Sequence, residues 1–214
     1  QFESGRGHHP RAPRLRFMPP IPPATKTLML ACTAVFCLQV FLPLDLWFAL
    51  WPVGSGLFWP WQVLSYAFLH GGILHLFFNM LGLWMFGSEL ERLWGERRYL
   101  HFLLAGVLAA AATQLAITAL AHSSVPTVGA SGGLYALLLA FGMLFPNRMI
   151  MPLFPPIPMK ARTFVIVFGA LELALGLSGR SGVAHFAHLG GMVGGFLMIR
   201  YWRGQSPFGR SRRR

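Results

Sequence analysis

Six apolar stretches, near residues 26–44, 72–91, 98–120, 130–145, 162–178 and 185–201, dominate the chain. Most approach the ~20 residues that a helix needs to cross a hydrocarbon core of ~30 Å. The expected fold is an all-α membrane protein, a bundle of six transmembrane helices. Composition agrees: 55% of the 214 residues are hydrophobic, 11% are charged and the mean hydropathy is +0.54. A soluble domain of this length carries far more charge. Cys32 and Cys37 both fall in the first stretch. Five residues apart on a helix, they point to different faces, which argues against an internal disulfide.

The net charge of +12 invites a nucleic-acid reading, but the distribution of the charges points to a membrane. Of the 18 Lys and Arg residues, 17 lie before the first stretch, between the second and third, between the fourth and fifth, or after the sixth. Only Arg180 falls in the alternate joints. Positive charge collects on the cytoplasmic side, so both termini are expected in the cytoplasm. The chain then divides into a disordered basic segment (1–24), a six-helix membrane domain (25–203) and a basic cytoplasmic tail (204–214). The tail, "RGQSPFGRSRRR", is expected to face lipid headgroups. Neither aromatic interleaving nor a folded module accompanies it, so nucleic acid is not an expected partner. On the outer side, residues 45–71 carry Trp47, Trp51, Trp59 and Trp61 and no Lys or Arg. Such a loop belongs in the membrane interface.

Three outer helix ends carry polar residues. In "VGASGGLYALLLAFG" (128–142), Ser131 opens the fourth stretch. From Ser131 to Phe145 a helix rises only ~22 Å, less than the core thickness, which sets Ser131 below the outer surface. A helix N-terminus favours an oxyanion there and suits a nucleophile. Taken alone, Ser131 is as well read as a helix cap. The second cluster, "VAHFAHLGGMVGG" (183–195), opens the sixth stretch with His185 and His188. His188 lies one turn deeper, near the depth of Ser131, and Gly191 and Gly195 at four-residue spacing let another helix approach. A neutral imidazole in reach of a hydroxyl is a general base, while an interhelical hydrogen bond is the plainer use. In the third, "HGGILHLFFNM" (70–80), His75 and Asn79 share a helix face and can donate to a developing oxyanion or bond between helices. His75 with His188 suggests a metal site, but no Cys, Asp or Glu at the same depth completes one. Of the acids, Asp45 ends the first stretch and Glu172 lies inside the fifth. Neither has an evident link to His188, so a Ser–His dyad is the simpler reading, and Glu172 is left as an interhelical hydrogen bond.

"GASG" followed by Tyr135, together with "AHLGGMVGG" and "HLFFN", resembles the rhomboid intramembrane serine proteases over positions 61 to 195. Trp61, Ser65, Phe68 and His70 in "WQVLSYAFLH" and Glu91 in "GSELERLWG" belong to the same pattern. The resemblance implies that Ser131 is the nucleophile and His188 the base. It implies an oxyanion hole of His75, Asn79 and the Ser131 backbone N–H. Tyr135 would pack on the His188 ring, Gly129 would keep the entry to the serine open, and His70 and Glu91 would be structural, Glu91 tying cytoplasmic ends. Many rhomboids carry Trp-Arg where this chain has Trp61-Gln62, a departure bearing on loop anchoring rather than chemistry. The implied substrate is a single-pass membrane protein whose helix unwinds near the outer leaflet, among membrane lipids, with no cofactor and no metal. The expected location is a bacterial inner (plasma) membrane. A catalytically silent rhomboid-like binding or chaperone protein is the alternative, although such relatives usually lose the serine or histidine. A small-solute transporter is a further rival, without the sequence symmetry between halves that would support it.

Overall fold

The computed structural model describes residues 19–153, 156–178 and 184–205. Most of the basic N-terminal segment, the joint holding Arg180 and nearly all of the basic tail therefore lie outside the described residues. The first apolar stretch folds as α1 (Pro23–Gln39), ending earlier than its hydropathy suggests. Pro43 lies just beyond, and the residue before a proline is held out of the helical region. The interfacial loop is built of short turns: α2 (Leu44–Phe48), a 3₁₀ turn at Val53–Ser55, α3 (Gln62–Ser65) and a second 3₁₀ turn at Tyr66–Phe68. The second stretch runs from Ile73 to Trp94. It consists of α4 (Ile73–Gly82), a π-helical turn (Leu83–Gly87) and α5 (Ser88–Trp94). Gly95, in the left-handed region at φ 78°, separates it from α6 (Glu96–Leu120). Then follow α7 (Ser131–Leu144), a two-stranded hairpin of β1 (Met149–Ile150) and β2 (Met159–Lys160), α8 (Ala161–Ser178) and α9 (His185–Trp202). The strands are antiparallel, with Met149 opposite Lys160.

By length and composition, three helices among the described residues can cross a membrane: Ile73–Trp94, Glu96–Leu120 and Ala161–Ser178. The chain is thus a largely helical integral membrane protein. α7 is apolar but has only 14 residues, a rise of ~21 Å.

The core is a close three-helix contact of α6, α7 and α9. Lipid supplies no hydrophobic drive between helices, so small residues that let backbones touch hold them together. Gly190 and Gly194 of α9 face Thr113 and Ala109 of α6, and Gly191 and Gly195 face Gly132 and Ala136 of α7. A methyl group on Gly191 would stand 2.0 Å from the Gly132 carbonyl oxygen. The four-residue glycine spacing on α9 therefore serves the close approach expected from the sequence.

Two buried polar anchors hold the frame. The Glu91 carboxylate accepts from the Ala24 N–H at 2.9 Å, and from the Thr25 N–H and hydroxyl at 2.7 Å each. It thereby satisfies free donors at the α1 N-terminus, where a helix favours an anion. Gln62 is fully buried. Its Nε2 donates to the Leu57 and Trp47 carbonyls at 3.0 and 3.3 Å, and its Oε1 accepts from the Trp51 N–H at 3.2 Å. A neutral amide, donor and acceptor at once, thus pins the interfacial loop from inside.

Candidate active site

Ser131 is the first residue of α7. The chain reaches it along an extended approach in which Leu50 and Thr127 exchange hydrogen bonds of 2.9 and 3.0 Å and the Gly129 N–H donates to the Tyr66 carbonyl at 2.9 Å. Gly129 has φ 123°, a region that strains any side chain, and a Cβ there would meet the His75 ring at 2.6 Å. Glycine at 129 thus serves both the backbone turn and the space for His75.

His188 lies in the first turn of α9. The α7–α9 contact at Gly191 brings its Nε2 to 2.8 Å from the Ser131 Oγ. The Tyr135 ring, one turn along α7 from Ser131, stacks on the His188 ring with centroids 4.2 Å apart and planes 6° from parallel.

His75 and Asn79 project from α4. Asn79 is buried, and its Nδ2 donates to the His75 carbonyl at 2.9 Å; that leaves the second amide hydrogen for another acceptor. His75 Nδ1 accepts from the Gly71 N–H at 3.3 Å, leaving Nε2 on the Gly129 side. Both line the same cavity as Ser131, Tyr135 and His188, a space of about 970 Å³. Phe78, Leu138, Phe164 and Phe168 give its remaining walls an apolar character. His70 lies beyond this cavity. Its N–H donates to Gln39 Oε1 at 3.0 Å, its carbonyl accepts from Gln39 Nε2 at 3.3 Å, and its ring meets His75 edge-on. It ties α1 to the start of α4.

The correction concerns Glu172. The sequence offers it no link to His188, yet its Oε2 stands 2.9 Å from His188 Nδ1 and 2.5 Å from His185 Nδ1. Its Oε1 accepts from the Tyr135 hydroxyl. The His188 contact is short but off the line of a hydrogen bond, so Nδ1 has no aligned partner. His185 Nδ1 is turned to Glu172, and it is His188 that reaches Ser131. An acid at the depth of the histidines does exist, contrary to the reading that dismissed a metal site. The donor atoms of Glu172, His185 and His188 lie within 4.8 Å of one another. Both imidazole nitrogens, however, approach one carboxylate oxygen, and Tyr135 holds the other. The cluster is thus arranged as a carboxylate among hydrogen-bond donors. The signal available in the sequence was Glu172 itself, an ionisable residue within an apolar helix.

Residues 58–204 match the family model of the Rhomboid domain. The chain belongs to the rhomboid family. It is 32% identical over 139 residues to Rhomboid protease GluP of Bacillus subtilis, an alignment covering 64% of this chain and 25% of that protein. To RHOMBOID-like protein 4 of Arabidopsis thaliana it is 36% identical over 139 residues, 64% of this chain and 33% of the relative. To Rhomboid protease GlpG of Yersinia pestis it is 28% identical over 187 residues, covering 84% of this rhomboid and 62% of the other. The chain thus spans from a quarter to less than two thirds of the length of these relatives.

Proposed function

We propose that this rhomboid is an intramembrane serine endopeptidase that cleaves single-pass membrane proteins near the outer leaflet. The observation that carries the reading is the 2.8 Å contact between Ser131 Oγ and His188 Nε2, facing a large cavity among apolar helices. A helix-capping serine has no need of an imidazole at that distance. Relatives named as proteases support the class.

The reaction is an acyl transfer. Ser131 Oγ attacks the scissile carbonyl carbon as His188 Nε2 takes its proton. The carbonyl oxygen becomes an oxyanion, held by the Ser131 N–H at the start of α7, the free Asn79 amide hydrogen and His75. One such donor is worth ~2.7–4 kcal/mol to the transition state. As the C–N bond breaks, His188 returns the proton to the leaving amine. Water then attacks the acyl ester, giving its proton to His188. The C–O bond to Ser131 breaks, and Ser131 recovers its hydrogen. A short α7 keeps the nucleophile below the surface, so the substrate helix must unwind there to expose its backbone. Six crossings with both termini in the cytoplasm, and a bacterial inner membrane as the location, complete the proposal; the distribution of Lys and Arg supports the orientation.

The test is cleavage of a generic single-helix substrate by the purified protein in detergent beside Ser131→Ala. Cleavage lost in the variant supports the reading, and cleavage that survives it defeats Ser131 as nucleophile. If neither protein cleaves, a serine-directed fluorophosphonate probe decides: labelling of Ser131 supports the reading, and no labelling favours the non-catalytic, rhomboid-like alternative.

A further inference from the structure

The protease reading uses two residues, and the structure holds a buried acid behind them. α8 is an apolar helix whose one carboxylate, Glu172, is 7% exposed. A carboxylate within a membrane helix is costly unless its oxygens are filled by donors. Glu172 has two hydrogen bonds, from the Tyr135 hydroxyl to Oε1 and between His185 Nδ1 and Oε2, and His188 Nδ1 approaches Oε2 at 2.9 Å off the hydrogen-bond line. A single interhelical tie would need one. The donors come from α7 and α9, the two helices that carry the reactive pair, and one of them is the far nitrogen of the base itself.

We propose that Glu172 is a positioning residue, the third member of a Ser131–His188–Glu172 relay whose carboxylate holds the proton of His188 on Nδ1. The proposal rests on the protease reading above. An imidazole that accepts from Ser131 at Nε2 must carry its own proton on Nδ1, and an acceptor at Nδ1 selects that tautomer. When Ser131 transfers its proton, His188 becomes an imidazolium with both nitrogens protonated. Glu172 stays ionised and takes no proton; it balances the new charge across 2.9 Å. Tyr135 acts twice, stacking on the ring and donating to Oε1. His185, three residues before His188, occupies the same oxygen and holds the carboxylate between α8 and α9. The Nδ1 contact is off the hydrogen-bond line, and its alignment in the Michaelis complex, where catalytic hydrogen bonds tighten, is part of the proposal.

The titratable groups facing His188 are Glu172 from α8, His185 on its own helix, Tyr135 from α7 and His75 across the cavity from α4. Two measurements on the full chain in micelles test the proposal. The first is the ¹⁵N spectrum of labelled histidines, assigned with His188→Gln. The wild-type protein should show neutral His188 protonated at Nδ1, and Glu172→Gln should move that population toward Nε2. The second is the pH dependence of cleavage. Glu172→Gln should lower kcat by about 10²- to 10⁴-fold with KM changed by less than about twofold. The acid limb should differ between the two proteins, because the imidazolium loses its neighbouring anion. Glu172→Asp should recover part of kcat. Wild-type His188 protonated at Nε2 overturns the proposal. So does a Glu172→Gln enzyme with kcat within about twofold of wild type and an unmoved acid limb. The wild-type tautomer, assigned with His188→Gln, requires neither turnover nor a folded Glu172→Gln, so it can overturn the proposal where that variant does not fold, and Glu172→Asp then carries the comparison of tautomer and kcat. Cleavage that survives Ser131→Ala, or the absence of both cleavage and fluorophosphonate labelling, would instead defeat the protease reading.

Discussion

Replacing Gly191 by alanine tests whether the α7–α9 contact sets the reactive distance. The added Cβ would lie 2.0 Å from the Gly132 carbonyl oxygen, 2.8 Å from its carbon and 3.2 Å from its Cα. All three are backbone atoms, so no side-chain rotation relieves the clash. To reach ordinary contact the helices must part by roughly 1 to 1.5 Å. Gly132 is the neighbour of Ser131, and Gly191 stands one turn beyond His188, so the separation falls directly on the 2.8 Å contact between them. Opened by that amount, the pair is beyond hydrogen-bonding reach. Overpacking of this kind costs about 1–3 kcal/mol of stability, and an ångström of misplacement at a reacting pair costs on the order of 10²-fold in rate. Thermal unfolding in detergent and kcat on a helix substrate should both fall for Gly191→Ala. Gly54→Ala, with nothing within 4 Å of its new methyl group, should change neither. A Gly191→Ala enzyme with wild-type kcat and melting temperature would refute the claim that this crossing positions the serine.

Further outcomes follow from the same geometry. His188→Ala should abolish cleavage, whereas His185→Ala, which leaves the Ser131 contact intact, should retain a measurable fraction in the same gel assay; the reverse ranking would reassign the base. Glu91→Ala strands the Ala24 and Thr25 N–H groups and the Thr25 hydroxyl, and should cost about 2–4 kcal/mol in thermal or denaturant unfolding, with an undisturbed active site once folded. Gln62→Leu removes three bonds to Trp47, Trp51 and Leu57, and should expose the segment from 45 to 60 to limited proteolysis at a faster rate than wild type. Gly129→Ala places a methyl group 2.6 Å from the His75 ring at a strained φ, and should lower kcat at least tenfold, on the order of one displaced oxyanion donor or less.

The helices were legible because lipid-facing segments carry an unbroken apolar signal. The stretches expected at 72–91, 98–120, 130–145, 162–178 and 185–201 lie within a few residues of Ile73–Trp94, α6, α7, α8 and α9. The contact between Ser131 and His188 was legible for a different reason. Each stands at the start of an apolar segment, where chain position gives depth directly. Rotation about the helix axis is what hydropathy could not supply. A helix that is apolar on every side has no polar face to orient it, so nothing in α8 told whether Glu172 met α7, α9 or neither. The loop between Asp45 and Gly71 was opaque for a related reason. Its turns are fixed by Gln62, whose three partners are backbone groups and leave no trace in side-chain pattern.

The cost of burying charge was the missing lever. Glu91 and Glu172 are both buried acids in this chain; three donors fill Glu91 at the α1 terminus, and Tyr135 and His185 bond Glu172 with His188 close by. An isolated carboxylate in that setting would be driven to neutralise or to leave. Its presence inside an apolar stretch is therefore a demand for donors from neighbouring helices. In a bundle whose polar residues are this few, the donors near Glu172 are Tyr135, His185 and His188, beside Ser131. No sequence pattern gave Glu172 a partner, but the energetics of burial required donors around it, and the structure places Tyr135, His185 and His188 there.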